Sequence, residues 1–126
     1  MGRTYIPNRR GNGAKDFDVN FSGAAALGCL MFAVGEHNKL VEKRNESLRV
    51  KYPEEPIESC TEFSMSEEAC LRAAKKLRNL TKTELETVFA RCKFCFEKGA
   101  EIDELKSFGG EWALFLETCG GYSVPS

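Results

Sequence analysis

The sequence predicts a helix-dominated α+β domain with about four helices and two or three short strands. Its 126 residues and hydrophobic fraction of 42% fit one globular domain. Two Ser/Thr-x-x-Glu patterns open amphipathic helices, and one stretch near the N-terminus alternates polar and apolar residues as a strand does. We divide the chain into a basic, glycine-rich N-terminal segment, residues 1–15, and a single α+β domain, residues 16–126.

The amino-acid composition excludes several classes of function. The 18 Lys and Arg residues nearly balance the 19 Asp and Glu residues, which argues against a surface built to hold nucleic acid or anionic lipid. A single histidine excludes metal sites and mechanisms that need several imidazoles. The chain shows neither a signal peptide nor an apolar run long enough for a membrane span. We therefore expect a cytoplasmic protein with reduced thiols, no cofactor and no membrane partner.

The first strand and helix are predicted from their patterning. Residues 16–21 alternate strictly, which places Phe17, Val19 and Phe21 on one face of a strand. The apolar stretch that follows predicts a helix capped by Ser22 and running to about Val41. This helix is apolar on nearly all sides, so we expect it to lie at the centre of the domain.

A second strand is predicted over residues 47–52. Leu48, Val50 and Tyr52 alternate there with polar residues. Pro53 and the acidic stretch after it indicate a loop.

The middle of the chain carries two capping-box patterns. In such a box, the hydroxyl and the carboxylate satisfy backbone N–H groups that are free at a helix start. The patterns are Ser64-Met-Ser-Glu67 and Thr81-Lys-Thr-Glu84, and the helices are expected over residues 66–79 and 82–98, with Gly99 closing the second.

The last helix is expected to begin near Gly109 and to end at Gly120, which would adopt the left-handed conformation. Tyr122 and Val124 then alternate as in a brief strand. The side chains expected to face inward from the helix are Trp112, Phe115, Leu116 and Cys119.

The tail Trp112-Ala-Leu-Phe-Leu-Glu-Thr-Cys-Gly-Gly-Tyr122, after the helix that starts near Ser66, resembles that of small bacterial and phage-encoded accessory proteins. Those proteins end in W-x-x-F-x-x-x-C/S-G-G-F/Y. The resemblance implies a small protein that neutralises a toxin or a defence system by binding it. It carries no catalytic residue to transfer to this chain.

The pair Cys92-Lys-Phe-Cys95 has the C-x-x-C spacing of half a zinc site or of a redox dithiol. A zinc site needs two further ligands, and the other cysteines are isolated in the sequence. A redox dithiol gains reactivity at a helix N-terminus, whereas a long helical pattern precedes Cys92. We favour a core position for Cys92 and keep thiol or zinc chemistry as the alternative.

The basic loop near the N-terminus is the candidate ligand site. Glycines let backbone N–H groups surround an anion, and arginine and lysine supply charges suited to phosphate. The loop matches neither a P-loop nor a dinucleotide fingerprint. The residues assigned to this site are Arg9, Arg10, Gly11, Asn12, Gly13 and Lys15.

Phe94 is the candidate interface residue. At about 100° per residue it falls opposite the apolar stripe of its helix, which is typical of a partner-facing anchor. A second copy of the chain or another protein is the expected partner.

These residues favour a non-enzymatic binding protein that sequesters or blocks a protein or a nucleotide-like anion, as immunity and anti-defence proteins do. The alternative is a thiol-redox or zinc protein that uses Cys92 and Cys95. A third hypothesis, a nucleic-acid-binding accessory factor, is disfavoured by the net charge of −1.

Overall fold

The computed structural model describes residues 2–11, 13–51 and 61–125, without the side chains of Phe21, Asn45, residues 47–51 and Phe94. The helix-dominated α+β fold is confirmed. The elements are β1 (Arg3–Pro7), β2 (Phe17–Val19), α1 (Phe21–Ala33), α2 (Lys39–Lys51), β3 (Ser64–Ser66), α3 (Glu67–Arg78), α4 (Lys82–Cys92), a 3-10 turn (Lys93–Cys95), α5 (Ile102–Thr118) and β4 (Gly121–Ser123).

The four strands form one antiparallel sheet in the order β2-β1-β4-β3. Strand β1, to which the sequence patterning assigned no element, lies between β2 and β4. Its register sets Ile6 opposite Ser123 and Pro7 opposite Tyr122. The first and last strands among the described residues are therefore neighbours.

Helix α1 is central, as expected, but both of its predicted ends are wrong, and Phe21, predicted as part of the strand, is its first residue. Asn20, not Ser22, is the N-cap, and its side-chain oxygen accepts a hydrogen bond from the backbone N–H of Gly23 at 2.7 Å. The helix ends at Ala33 because Gly35 adopts a left-handed φ of +73°, which stops helix propagation well before Val41.

The strand predicted over residues 47–52 is also wrong, because residues 39–51 form helix α2. The side-chain oxygen of Asn38 accepts hydrogen bonds from the N–H groups of Leu40 and Val41, which starts a helix rich in Lys, Glu and Arg. This local capping outweighs a short alternation. Tyr52 and the loop predicted around Pro53 lie outside the described residues.

One of the two capping boxes is confirmed. Thr81 and Glu84 exchange both hydrogen bonds, at 3.0 and 3.1 Å. The Ser64 box is wrong, because Ser64 pairs in β3 and the hydroxyl of Ser66 caps α3 through the N–H of Ala69. Ser64 instead pairs with Ser123 of β4, and the helix predicted over residues 66–79 is confirmed as α3.

The ends of the last two helices also differ from expectation. Helix α4 gives way to the 3-10 turn at Lys93, before the left-handed Gly99. Helix α5 begins at Ile102 rather than near Gly109. Asp103 and Glu104 stabilise its first turn, and its packing against α1 and α3 holds the glycines in helical geometry. No helix of the described residues is long and apolar enough to cross a bilayer.

Trp112 of α5 anchors the core between the helices and the sheet. It is fully buried, and its indole N–H donates a hydrogen bond to Sδ of Met31 in α1 at 3.3 Å. Its ring lies 4.8 Å from that of Tyr5 in β1 and 5.3 Å from that of Phe17 in β2. The expected inward positions of Phe115, Leu116 and Cys119 are confirmed, as is the left-handed Gly120.

An ion-pair cluster ties the end of α1 to α3. The carboxylate of Glu36 accepts hydrogen bonds from Arg72 at 2.7 and 3.0 Å and from Lys76 at 2.9 Å. Its side chain is only 10% exposed. The hydrogen bond from Arg72, assisted by Lys76, lowers the pKa of Glu36 from 4.5 to about 2 against the effect of burial.

Replacing the buried indole should cost much of the fold's stability. We expect Trp112→Ala to lower the free energy of unfolding by about 3–5 kcal/mol, because the ring leaves a cavity that its neighbours fill only partly. Leu114→Ala on the same helix, where the leucine is 57% exposed, should change it by less than about 0.5 kcal/mol. Urea unfolding measures both. Equal losses in the two variants would contradict the anchoring role.

The Glu36 cluster predicts a pH dependence of stability. Because the folded pKa lies below the unfolded value, its contribution is complete above pH 4.5 and is lost as the pH falls toward about 2. With allowance for the half-exposed cations, Glu36→Gln should cost about 1–2 kcal/mol at neutral pH. Unfolding curves of both proteins should converge in acid. A constant difference down to the lowest pH would be inconsistent with this account.

Candidate functional site

A cleft of about 400 Å³ opens between four helices, and we call it the leucine cleft. Its volume lies within the range of small-molecule sites, roughly 300–1,000 Å³. The helices α1, α3, α4 and α5, together with the turn between α3 and α4, bring leucines from distant parts of the chain to its walls. These leucines are Leu30, Leu77, Leu80, Leu85 and Leu105.

Two glycines of α5 keep the leucine cleft open. Gly109 and Gly110 lie inside the helix and neither has a positive φ, so the backbone does not require glycine at either position. A Cβ on Gly110 would have no heavy atom within 4 Å, and one on Gly109 would make only ordinary contact with Leu30, at 3.6 Å. Two interior glycines weaken a helix by about 1 kcal/mol each relative to alanine. Here they leave space where side chains would otherwise stand.

Arg78 and Lys106 line the leucine cleft beside its leucines. Arg78 donates two hydrogen bonds to the carboxylate of Glu117, at 2.6 and 2.8 Å, and this pairing lowers the pKa of Glu117. Lys106 is exposed and has no ion-pair partner within the described part of the chain. Its ammonium is therefore free to meet an anionic group.

A second hollow of about 380 Å³ adjoins the leucine cleft, with which it shares Leu80. It is more open and more polar, since Lys75, Lys76 and Glu84 line it. The ammonium of Lys76 is already bound to Glu36.

The basic loop predicted as a ligand site packs against the chain itself. The guanidinium of Arg9 pairs with Glu67, and that of Arg10 pairs with Asp16 at 2.6 Å. The backbone N–H of Arg9 donates to the carbonyl of Cys119 at 2.9 Å. The two arginines thus meet carboxylates of this chain.

The remaining loop residues are placed as follows. Gly11, Gly13 and Lys15 are exposed, and Asn12 lies outside the described residues. Lys15 has no ion-pair partner in the regions described. The assignment of an anion to this loop stays a prediction.

The C-x-x-C pair lies in a thiol cluster that the sequence did not reveal. Cys92 is fully buried, and its Sγ is in hydrogen-bonding contact with that of Cys29 in α1. This contact and burial raise the pKa of Cys92, and burial raises the pKa of Cys95 to about 11. Among the described residues no group of three His, Cys, Asp or Glu is placed to hold a metal ion. These thiols are held in their neutral form.

The predicted interface residue Phe94 is part of the 3-10 turn after α4, and its side chain lies outside the described residues. Its role as an anchor stays a prediction. Most of the basic side chains of α3 are paired, because Arg72 and Lys76 bind Glu36 while Arg78 binds Glu117.

Comparisons with protein-family models, with curated proteins and with solved structures find no match. The likeness of the C-terminal tail to bacterial and phage accessory proteins stays a prediction.

Sequence reasoning missed the leucine cleft because its walls come from four helices. The one local indication was Gly109-Gly110, which the sequence analysis used as the start of a helix. In the structure the helix continues through both glycines.

The vacant space beside α5 yields a prediction of increased stability. Gly110→Ala should raise the free energy of unfolding by about 0.5–1 kcal/mol, because the added methyl group meets no atom and the helix propensity improves. Thermal and urea unfolding measure the change.

Gly121→Ala serves as the matched control. Gly121 has a φ of +95°, and a Cβ there would lie 2.8 Å from the carbonyl oxygen of Met65. This variant should lose more than about 1 kcal/mol. A loss of stability in Gly110→Ala would mean that the space is already filled.

Proposed function

We propose that this protein is a binding protein that captures a small amphipathic monoanion in the leucine cleft. The observation that carries the proposal is the cleft itself, lined by leucines, left open by two helical glycines and provided with one unpaired ammonium. An apolar body would lie against the leucines, and its acidic group would bind Lys106.

The energetics favour such a ligand. Burial of apolar surface contributes about 25 cal/mol per Å², so a body of medium size supplies most of the binding free energy. The ammonium of Lys106 selects a negative head group and fixes its orientation. Affinity and orientation thus come from different parts of the site.

The charge pattern argues for one negative charge on the ligand rather than several. Arg78 is already neutralised by Glu117, whose carboxylate would repel a second ligand charge in its vicinity. A nucleoside polyphosphate suits this site poorly. A carboxylate or sulfonate with an apolar body suits it well.

The lining groups hold a ligand rather than transform it. Leucine, glycine and alanine offer no proton or nucleophile, and Arg78 and Lys106 supply positive charge. We therefore class the protein as a sequestering protein. Immunity and anti-defence roles in the cytoplasm are the context that the tail resemblance implies.

Binding of two probes tests the proposal: anilinonaphthalene sulfonate, followed by fluorescence, and decanoate, followed by calorimetry. Gly110→Leu should weaken both by at least about tenfold, because its side chain fills the space while helix propensity improves. Lys106→Gln should weaken both by about three- to tenfold through loss of the charge-assisted contact.

Two controls locate the site. Lys98→Gln removes an exposed lysine that does not line the leucine cleft and should leave both affinities unchanged. Arg9→Ala combined with Arg10→Ala should also leave them unchanged, whereas an anion held by the basic loop would be lost. Failure of the unmodified protein to bind either probe, or unaltered binding in Gly110→Leu, would overturn the proposal.

A further inference from the structure

A second pair of thiols, far apart in sequence, meets where α3 begins and α5 ends. Cys70 lies in the first turns of α3, and Cys119 is the C-cap residue of α5. Both side chains are fully buried, and their Sγ atoms are in hydrogen-bonding contact. Both cysteines are free thiols in this structure.

The surroundings of this pair favour a thiolate. The turn after Cys119 crosses the N-terminus of α3, since a Cβ on Gly121 would lie 3.2 Å from the backbone nitrogen of Glu67. The N-terminus of a helix of 12 residues carries partial positive charge. The N–H of Gly121 donates to the thiols, and the guanidinium of Arg9 adds a full charge nearby.

The electrostatics of the two cysteines differ accordingly. The S–H of Cys70, the N–H of Gly121 and the charge of Arg9 lower the pKa of Cys119, against the effect of burial. Hydrogen bonding to Cys119 and burial raise the pKa of Cys70. Once Cys119 has lost its proton, the proton of Cys70 is therefore shared between the two sulfurs.

We propose that Cys70 and Cys119 form a redox site, in which a hydroperoxide converts the two thiols into a disulfide that joins α3 to the end of α5. The two thiols are hydrogen-bonding neighbours, and a disulfide needs their sulfurs to close to about 2 Å. The proposal is independent of what the leucine cleft binds.

The reaction consumes one hydroperoxide for each disulfide. The thiolate of Cys119 attacks one oxygen of hydrogen peroxide, the O–O bond breaks, and the hydroxide that leaves takes a proton from solvent to become water. The product is a sulfenic acid on Cys119. The sulfur of Cys70 then attacks the sulfur of Cys119, the S–O bond breaks, and the leaving hydroxide takes the proton of Cys70. Two thiols are oxidised by two electrons, and the peroxide is reduced to two waters.

The route to the buried sulfur passes beneath Arg9. The Arg9 side chain covers Gly120, where a Cβ would lie 2.9 Å from its Nε, and it reaches across to Glu67. Both side chains of this ion pair are about half exposed, so opening it costs little free energy. A molecule as small as hydrogen peroxide can then reach Cys119.

The C-x-x-C pair provides an internal comparison. The pKa values of Cys92 and Cys95 are raised, whereas that of Cys119 is lowered, so oxidation should occur first at the pair without a sequence motif.

The reduced full-length protein is treated with graded hydrogen peroxide at pH 7, alkylated and analysed by intact mass and by peptide mapping without reduction. We expect a mass loss of two hydrogens that maps to Cys70 and Cys119 and is reversed by dithiothreitol. The rate of thiol loss should rise with pH and reach its plateau at a lower pH than for an ordinary thiol. A first bond between Cys92 and Cys95, or direct conversion to sulfinic acids, would overturn the proposal.

Two variants complete the test. Cys95→Ser should leave the oxidation unchanged, because Cys95 is outside the pair. In Cys70→Ser, with folding checked by circular dichroism, the hydroxyl keeps a hydrogen-bond donor beside Cys119 but cannot resolve its sulfenic acid, which should be trapped by dimedone. Absence of the dimedone adduct in a folded Cys70→Ser protein would also contradict the mechanism.

Discussion

The pairing of β1 with β4 is the constraint on which the rest of the structure depends. It places Tyr5 against Trp112 and Tyr122, and so joins the sheet to the core of helices. The pairing continues beyond the strands, where the backbone N–H of Arg9 donates a hydrogen bond to the carbonyl of Cys119. This close approach requires a glycine at position 120. Gly120 has a φ of +66°, and a Cβ there would lie 2.8 Å from the Cβ of Arg9. The aromatic core and the surroundings of the Cys119 thiol both depend on the pairing of β1 with β4.

Local sequence patterns predicted those parts of the fold that depend on local interactions. The Thr81 capping box, the left-handed Gly120 and the inward Trp112 each follow from a few neighbouring residues. Strand β1 has no such pattern, because its partners lie at distant points of the chain. Residues 47–51 alternate like a strand but belong to a helix that Asn38 starts upstream. Helix propensity and the Asn38 cap favour the helix, whereas the alternation of polar and apolar residues alone could not distinguish a helix from a strand here.

The candidate sites were less predictable than the fold, because each depends on residues that only the fold brings together. The basic loop looked like an anion site, but the carboxylates of Glu67 and Asp16 meet its two arginines. The C-x-x-C spacing drew attention to Cys92, whereas the thiol with the lowered pKa is Cys119, beside the N-terminus of a distant helix. Spacing along the chain identifies a thiol pair only when one helix or turn supplies both residues and the local charge.

The central position of β1 also affects how this chain can fold. The pairing of Pro7 with Tyr122 closes a loop of about 115 residues, which gives the topology many contacts of long sequence separation. During synthesis, β1 has only β2 beside it until β4 has left the ribosome. Its second edge and the contacts of Tyr5 with Trp112 and Tyr122 must therefore form after the helices between the two strands have been made.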